Sequence, residues 1–289
     1  MNDIKMIVTD YDGTFSPRGL SGSWEVDNPA SILEAKSAGI PIYVSTGRAW
    51  PQIIEPIKMY GFGGFCIASN GASITEVSTG NILYKKALPP ESLLPMLQIG
   101  KKYDVVMQVA HTHKVGIIET KDPERSNKAF ERQTMLHKAT GYLPYLCKTP
   151  EEAVKVSKER ADNDDHADMI MFLADSPEVI DPNLVSELKA IPGVEIIQTF
   201  ISHVSAMASG VDKGAALVKL AEICNIDLKN VMAIGDEEND MGMIKIAGVG
   251  VAMGNARQDV KDAADYVTDL PENGGFAKAV RRFALGMDI

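Results

Sequence analysis

The stretch M-I-V-T-D-Y-D-G-T (residues 6–14) carries a short apolar run that ends in two acidic residues, Asp10 and Asp12, and a glycine. The apolar run is typical of a buried strand, and Gly13 marks the turn that leaves it. In open α/β sheets, ligands bind at the carboxyl ends of the strands. The stretch therefore predicts a strand that places two carboxylates at a binding site.

Two interpretations compete for this pair of acids. Asp and Gly are favoured in ordinary turns for backbone reasons, so the motif is compatible with a plain turn after a strand. However, two carboxylates at one strand end repel each other unless a cation neutralises them or one of them keeps a proton. Because that repulsion costs stability, a chemical role is the favoured interpretation.

The composition is that of a globular protein, with 45% hydrophobic and 24% charged residues in a chain of 289. The net charge of −10 argues against a nucleic-acid partner, which would need clustered Lys and Arg. No apolar run approaches the length of about 18 residues that a membrane span requires. The cysteines form no C-x-x-C pair and the N-terminus does not resemble a secretory signal. We expect a cytoplasmic protein with buried, reduced thiols and no membrane partner.

Strands and helices alternate at both ends of the sequence, which is typical of a doubly wound parallel sheet. Between them, residues 85–204 contain helices and strands in mixed order, and this block is long enough to hold its own core. We predict an α/β protein with a Rossmann-like core over residues 1–84 and 205–289 and a large inserted α/β domain over residues 85–204.

A second acidic group, D-E-E-N-D (residues 236–240), follows Gly235 and a predicted strand. Parallel strands end at one edge of a sheet, so we expect Asp10 and Asp236 to meet there. Their carboxylates and the backbone carbonyl of Asp12 are ligands that suit Mg²⁺. Capping of the next helix is the alternative, but capping explains one or two acids and not four within five residues.

Two further side chains at predicted strand–helix junctions suit a phosphate group. Thr46, next to Gly47, offers a hydroxyl donor, and Lys213 offers a positive charge at a predicted helix start. Either residue alone is ordinary, since most lysines are solvent-exposed and a Thr before a Gly is usually part of a turn. Because both are predicted to lie at the same sheet edge as the acids, they are candidate phosphate ligands.

Four motifs therefore occur in order along the chain: D-x-D-G-T (10–14), S-T-G-R (45–48), G-V-D-K-G (210–214) and G-D-x-x-N-D (235–240). In this order they resemble the haloacid dehalogenase-like superfamily. The N-G-A segment (70–72), the V-A-M-G-N-A run (251–256) and the long insert are similar to its Cof-type branch.

The resemblance implies a magnesium-dependent phosphatase of sugar phosphates and related small metabolites, in which the insert is a cap domain that sets substrate specificity. It implies that Asp10 attacks phosphorus and forms an aspartyl-phosphate, and that Asp12 serves as general acid and base. Asp10, Asp12 and Asp236 would hold the metal, with Asn239 and Asp240 orienting its ligands. The residues expected to bind phosphate or substrate are Thr46, Gly47, Asn70, Lys213 and Asn239.

Two other functions stay open on the same fold. One is a phosphomutase, which returns the phosphoryl group to the substrate, and the other is a non-catalytic sugar-phosphate sensor. The substrate and the oligomeric state are left undetermined.

Three further segments carry expectations of their own. Residues 15–28, rich in Gly and Ser, are predicted to form a mobile flap. His111 and His113 lack further zinc ligands and are expected to face solvent or the cap cavity. The acid-rich segment 159–168 is predicted to be a solvated loop.

Overall fold

The structure is a computed structural model that describes residues 3–16, 27–137, 141–174, 179–200 and 202–287. Its strands are β1 (Met6–Thr9), β2 (Ile42–Ser45), β3 (Phe65–Ala68), β4 (Ser73–Glu76), β5 (Ile82–Lys85), β6 (Val106–His111), β7 (Val115–Ile118), β8 (Tyr145–Cys147), β9 (Ala167–Leu173), β10 (Val194–Phe200), β11 (His203–Ala208), β12 (Val231–Gly235), β13 (Val249–Ala252) and β14 (Tyr266–Val267). Its helices are α1 (Asp27–Ser37), α2 (Trp50–Tyr60), α3 (Pro90–Lys102), α4 (Pro123–His137), α5 (Pro150–Ala161), α6 (Pro182–Lys189), α7 (Lys213–Cys224), α8 (Met241–Ile246), α9 (Gln258–Ala263) and α10 (Gly275–Ala279).

The first sheet has the strand order β14-β13-β12-β1-β2-β3-β4-β5. All neighbours from β14 to β3 are parallel, which confirms the predicted parallel α/β sheet, and β4 then pairs antiparallel with β3. β1 lies in the middle, with Thr9 opposite Ile234 on one side and Val44 on the other. Every residue of β1 is buried, because helices cover both faces of such a sheet and its strands are nearly continuous apolar runs.

One face of this sheet packs against α7. Met6 and Val8 of β1 share a buried cluster with Leu217 and Leu220 of that helix. The helix begins at Lys213, and the side chain of Asp212 caps it by accepting a hydrogen bond from the backbone N–H of Ala215. An N-terminal cap of this kind satisfies a backbone donor that the helix leaves unpaired, so the cap fixes where the helix begins.

The second sheet has the strand order β10-β11-β9-β6-β7-β8. Its strand pairs are antiparallel except for β7 and β8, which are parallel. The helices α3, α5 and α6 contribute to its core, in which Leu97, Ala153 and Leu184 belong to the same buried cluster as Phe172. This block therefore has a hydrophobic core of its own.

The chain divides into two compact units, Met1–Gly47 with Pro56–Tyr84 and Asp212–Ile289, and Arg48–Glu55 with Lys85–Val211. The predicted boundary at residues 204 and 205 differs from this division. It would separate residues of β11, and β11 pairs with both β9 and β10. Because ladder hydrogen bonds hold β11 in the second sheet, the second unit extends to Val211.

Three smaller expectations can be compared with the structure. Cys66 and Cys147 are buried thiols as predicted, whereas Cys224 is half-buried. Among the described helices, none combines the length and the apolar character of a membrane-crossing segment. Most of the predicted flap over residues 15–28 lies outside the described residues, since these exclude positions 17–26.

Candidate active site

Three buried carboxylates meet at the carboxyl edge of the first sheet. Asp10 follows β1, Asp236 follows β12, and Asp240 ends the short 3₁₀ turn Glu238–Asp240. The backbone N–H of Asp10 donates to the carbonyl of Ile234 at 2.8 Å, which fixes the two strand ends side by side. One carboxylate oxygen from each acid lies within 4.8 Å of the others. The two acidic motifs therefore come together, as the parallel strand arrangement requires.

Lys213 is the positive charge in this cluster. Its side chain is buried, and Nζ donates to Oδ1 of Asp10 and to Oδ1 of Asp240, each at 2.6 Å. An ammonium group has three donors, so two bonds to carboxylates leave one for a further ligand. Burial opposes the charged form of Lys213, but Asp10 and Asp240 overcome this effect and raise the pKa of Lys213 above its usual value.

The electrostatic balance of the cluster is negative. Burial is the main cause that holds the pKa of Asp10 well above its usual value, and the charges of Asp240, Asp236 and Asp12 act in the same direction while Lys213 opposes them. Three carboxylates beside one ammonium group need a further cation or a proton. The donor set fits Mg²⁺, since this ion prefers carboxylate oxygens together with water and phosphate.

Asp240, predicted to orient the metal ligands, lies directly beside them. Its carboxylate belongs to the central group itself. Oδ2 of Asp240 also accepts hydrogen bonds from the backbone N–H groups of Asp236 and Glu237, each at 3.0 Å. Gly235 has to be a glycine here, because a Cβ at that position would lie 2.4 Å from the Cβ of Asp240. Asp240 thus shapes the acidic loop and holds Lys213 at the same time.

Two residues near Asp236 were missed as site residues by the sequence reasoning. The Thr14 hydroxyl donates to Oδ1 of Asp236 at 3.1 Å, and Nδ2 of Asn255 donates to Oδ2 of Asp236 at 2.9 Å. Asn255 also donates to the carbonyl of Gly13 at 3.0 Å, so it joins two strand-end loops. Thr14 belongs to the D-x-D-G-T motif and Asn255 to the V-A-M-G-N-A run, and these memberships were the available signals.

The loop after β1 turns at a glycine and is packed against aromatic side chains. Gly13 has a φ of +89°, a value that glycine adopts without strain, and this confirms the predicted turn. Phe15, two residues on, is fully buried with its ring 4.8 Å from Phe62 and 5.2 Å from Phe276, measured between ring centroids. Asp12 lies in this loop and is half-buried, and its charge is among those that raise the pKa of Asp10.

The predicted phosphate-binding residues after β2 and β3 also come together. The backbone N–H of Asn70 donates to the carbonyl of Thr46 at 2.9 Å. Oδ1 of Asn70 accepts a hydrogen bond of 2.8 Å from Nδ2 of Asn239. A Cβ on Gly47 would lie 2.9 Å from Oδ1 of Asn70, so the absence of a side chain there makes room for the asparagine. The second motif, the N-G-A segment and the fourth motif thus meet at Asn70.

In the second unit, His111 was wrongly expected to face solvent or a cavity. It is fully buried, with Nδ1 at 2.9 Å from the carbonyl of Asp165 and Nε2 at 3.0 Å from the Tyr145 hydroxyl. Since a carbonyl can only accept, Nδ1 carries the proton. Burial lowers the pKa of His111 to about 3, with the charges of Arg160 and Lys85 acting in the same direction. His111 is therefore neutral. His113 is half-buried, and its ring lies 5.2 Å from that of Tyr142 between centroids, tilted by 39°.

The prediction of a solvated loop over residues 159–168 was right only for the exposed turn at residues 162–164. Part of this segment lies in α5 and β9, and Asp165 and Asp168 are buried. Lys85 lies 3.0 Å from Oδ1 of Asp168, and Arg160 pairs with Asp165. The two acids are buried because basic side chains from β5 and α5 neutralise them.

Known proteins match this chain along nearly its whole length. A family model described as haloacid dehalogenase-like hydrolase matches residues 7–280. A 5-amino-6-(5-phospho-D-ribitylamino)uracil phosphatase of Bacillus subtilis is 31% identical over 283 residues, which cover 98% of this chain and 97% of that protein.

Solved structures of similar fold also match along nearly the whole chain. A subclass IIB sugar phosphatase of the superfamily, BT4131, has a TM-score of 0.76 at 25% identity, with 97% of this chain and 99% of that chain covered. A haloacid dehalogenase-like hydrolase from Bacteroides thetaiotaomicron has a TM-score of 0.76 at 23% identity, with 96% and 99% covered. The latter similarity concerns the fold alone.

Proposed function

Because the chain belongs to the haloacid dehalogenase-like hydrolase family and is a phosphatase of that family, we propose that it is a magnesium-dependent enzyme that hydrolyses small phosphorylated metabolites, sugar phosphates above all. The observation that carries this proposal is the buried group of Asp10, Asp236 and Asp240 with Lys213 in their midst. Such a group combines a nucleophile, a set of oxygen ligands and a cation for phosphate.

In the proposed reaction, a carboxylate oxygen of Asp10 attacks phosphorus and the bond between phosphorus and the leaving oxygen breaks. This step gives an aspartyl-phosphate and replaces one difficult step by two easier ones. Asp12 donates its proton to the leaving alcohol and then removes a proton from the water that hydrolyses the intermediate. The products are the alcohol and inorganic phosphate, and Asp10 is regenerated.

The remaining residues hold the phosphoryl group in line with Asp10. The third donor of Lys213 and the hydroxyl of Thr46 would bind phosphoryl oxygens, as would Gly47 through its backbone N–H. Mg²⁺ bound by Asp10, the carbonyl of Asp12 and Asp236 would reduce the repulsion between carboxylate and phosphate. Asn239 and Asp240 would keep this arrangement in place.

We further propose that the second unit is the cap domain and that it sets substrate specificity. Support comes from the fold similarity to a subclass IIB sugar phosphatase along the whole chain and from the separate core of this unit. The B. subtilis relative named for a phosphorylated ribitylaminouracil adds that class of compound to the candidates.

The test is phosphate release from a panel of phosphorylated sugars and ribityl compounds, with Mg²⁺ and with a chelator. The proposal expects release that requires Mg²⁺ and that disappears in Asp10→Asn. An isomerised sugar phosphate without phosphate release would indicate a phosphomutase instead. Binding of sugar phosphates with no turnover of any panel member would indicate a sensor.

A further inference from the structure

The turn that follows β3 has an uncommon backbone conformation. Three consecutive residues, Ser69, Asn70 and Gly71, have positive φ values of 50°, 56° and 103°. Residues other than glycine rarely adopt this region, and such strain persists only where the surroundings determine it. Strained turns of this kind cluster at functional sites, so the contacts of this turn bear on its function.

The turn contacts the loops of three other motifs. Asn70 is bonded to the carbonyl of Thr46 through its backbone and to Nδ2 of Asn239 through its side chain. A Cβ on Gly71 would lie 2.3 Å from the carbonyl oxygen of Asp212, the residue before Lys213. The backbone of the turn thus lies against the start of α7. The turn is therefore a junction of the second, third and fourth motifs.

The amide of Asn239 depends on this turn for its orientation. Its Nδ2 donates to Asn70 at 2.8 Å, whereas its Oδ1 is buried and has no hydrogen-bond partner among the described residues. An asparagine amide has a donor end and an acceptor end, and the partner of one end determines where the other points. Oδ1 of Asn70 can only accept, so it selects the orientation that leaves Oδ1 of Asn239 available to a ligand.

We infer that Asn70 is a positioning residue that acts through Asn239, and that it is not itself a substrate ligand. This inference rests on the proposed function, in which Asn239 takes part in the phosphoryl-transfer site. The side chain of Asn70 fixes the Asn239 amide, and the absence of a side chain on Gly47 leaves the space that Asn70 needs.

A double-mutant cycle tests the inference. Asn70→Gly removes the side chain and keeps a residue that tolerates positive φ. We expect its kcat with p-nitrophenyl phosphate and Mg²⁺ to fall about 10- to 100-fold, the usual effect of losing a partner that orients a site residue. KM should change little, because uniform substrate binding is not affected. The double variant with Asn239→Ala should be no slower than Asn239→Ala alone.

The matched control is Asn225→Gly. Asn225 has a φ of 53°, is exposed and follows the C-terminus of α7, so the same substitution is made at the same backbone conformation away from the site. Its kcat and KM should equal those of the parent. Urea unfolding of each variant shows whether it is folded. If Asn70→Gly does not fold, Gly47→Ala serves in its place, because the added Cβ displaces the Asn70 amide without removing it.

Two results would overturn the inference. One is a loss in the double variant equal to the product of the two single losses, which means that Asn70 acts independently of Asn239. The other is a rise in KM at unchanged kcat for Asn70→Gly, which means that Asn70 binds substrate. The parent and Asp10→Asn, measured in parallel, separate these outcomes from failure of the proposed function, since that failure would show as a parent that releases no phosphate or as an Asp10→Asn variant that stays active.

Discussion

Nζ of Lys213 donates a 2.6 Å hydrogen bond to Oδ1 of Asp10, and both side chains are buried at the carboxyl edge of the central strand. The cation that would bind the phosphoryl group thus already contacts the carboxylate that would attack it. A charged group in this position has a structural role in addition to its proposed chemical one, because it neutralises carboxylates that have little access to water. The two roles can be separated by substitution.

Lys213→Met should abolish phosphatase activity and lower the free energy of unfolding by about 3–5 kcal/mol, since it leaves buried carboxylates without their partner. Urea denaturation measures the loss. The control is Lys219→Met on the same helix, where the lysine is 47% exposed and pairs with Glu222, and this change should have little effect on stability because exposed ion pairs contribute little. A Lys213→Met protein as stable as the control would show that the ion pair contributes nothing to the fold.

Asp10→Asn should also abolish activity but leave the protein as stable as the parent or more stable. Burial and three neighbouring carboxylates raise the pKa of Asp10, which means that its charge is unfavourable in the folded state. Lys213 keeps Asp240 as a partner in this variant. Kinetics and urea denaturation on the same preparation check both parts. Turnover near the parent level would end the assignment of Asp10 as nucleophile.

Mg²⁺ should stabilise the parent and have much less effect on Asp236→Asn. A ligand that binds only the folded state adds about 2.7 kcal/mol when it is present at about 100 times its Kd. Unfolding midpoints with and without Mg²⁺ measure this difference. The matched control is Glu238→Gln, an exposed acid two residues away, which should respond to Mg²⁺ as the parent does. An equal response of Asp236→Asn would argue against Asp236 as a metal ligand.

In the second unit, Lys85→Met should lower the free energy of unfolding by about 3–5 kcal/mol, because it leaves the fully buried Asp168 without its cation. Burial already raises the pKa of Asp168 against the opposing effect of Lys85. Lys102→Met is the comparison, since Lys102 is 61% exposed and forms a surface pair with Glu187. Similar small losses for both variants would contradict the prediction.

The free energy of unfolding should fall as the pH is lowered, and part of this fall should come from protonation of His111 in the unfolded chain. The folded-state pKa of His111 is about 3, well below the unfolded value of about 6.5, so the unfolded chain binds the proton first. The contribution of the neutral His111 side chain to the free energy of unfolding is complete above pH 6.5 and is lost progressively as the pH falls toward 3.

At pH 5 this loss should be about 2 kcal/mol relative to pH 7. His111→Gln retains hydrogen-bonding groups but cannot titrate, so its stability should decline less over that interval. Urea denaturation of both proteins at the two pH values makes the comparison. Parallel declines would mean that groups other than His111 account for the pH dependence.

Site residues could be predicted from the sequence where a strand and the reactive side chains at its end are adjacent in the chain. The placement of Asp10 and Asp236 follows from two apolar runs that each end in acids, together with the rule that parallel strands share an edge. The contacts of Thr14 and Asn255 with Asp236 could not be predicted in the same way. They depend on how three loops approach one another, which no spacing in the sequence records.

The burial of charged residues in the second unit could not be predicted from the sequence. Asp168 resembles part of a solvated acidic segment because its cation, Lys85, lies far away in the sequence on another strand.

The position of β1 between β2 and β12 has a consequence for biosynthesis. The ribosome makes β1 and β2 early, whereas β12 emerges only after the whole of the second unit has been translated. During that interval one side of a strand that is buried throughout in the folded protein has no partner, and unpaired strand edges of this kind favour aggregation and engage chaperones. Acquisition of catalytic competence is therefore among the last events in the maturation of this polypeptide.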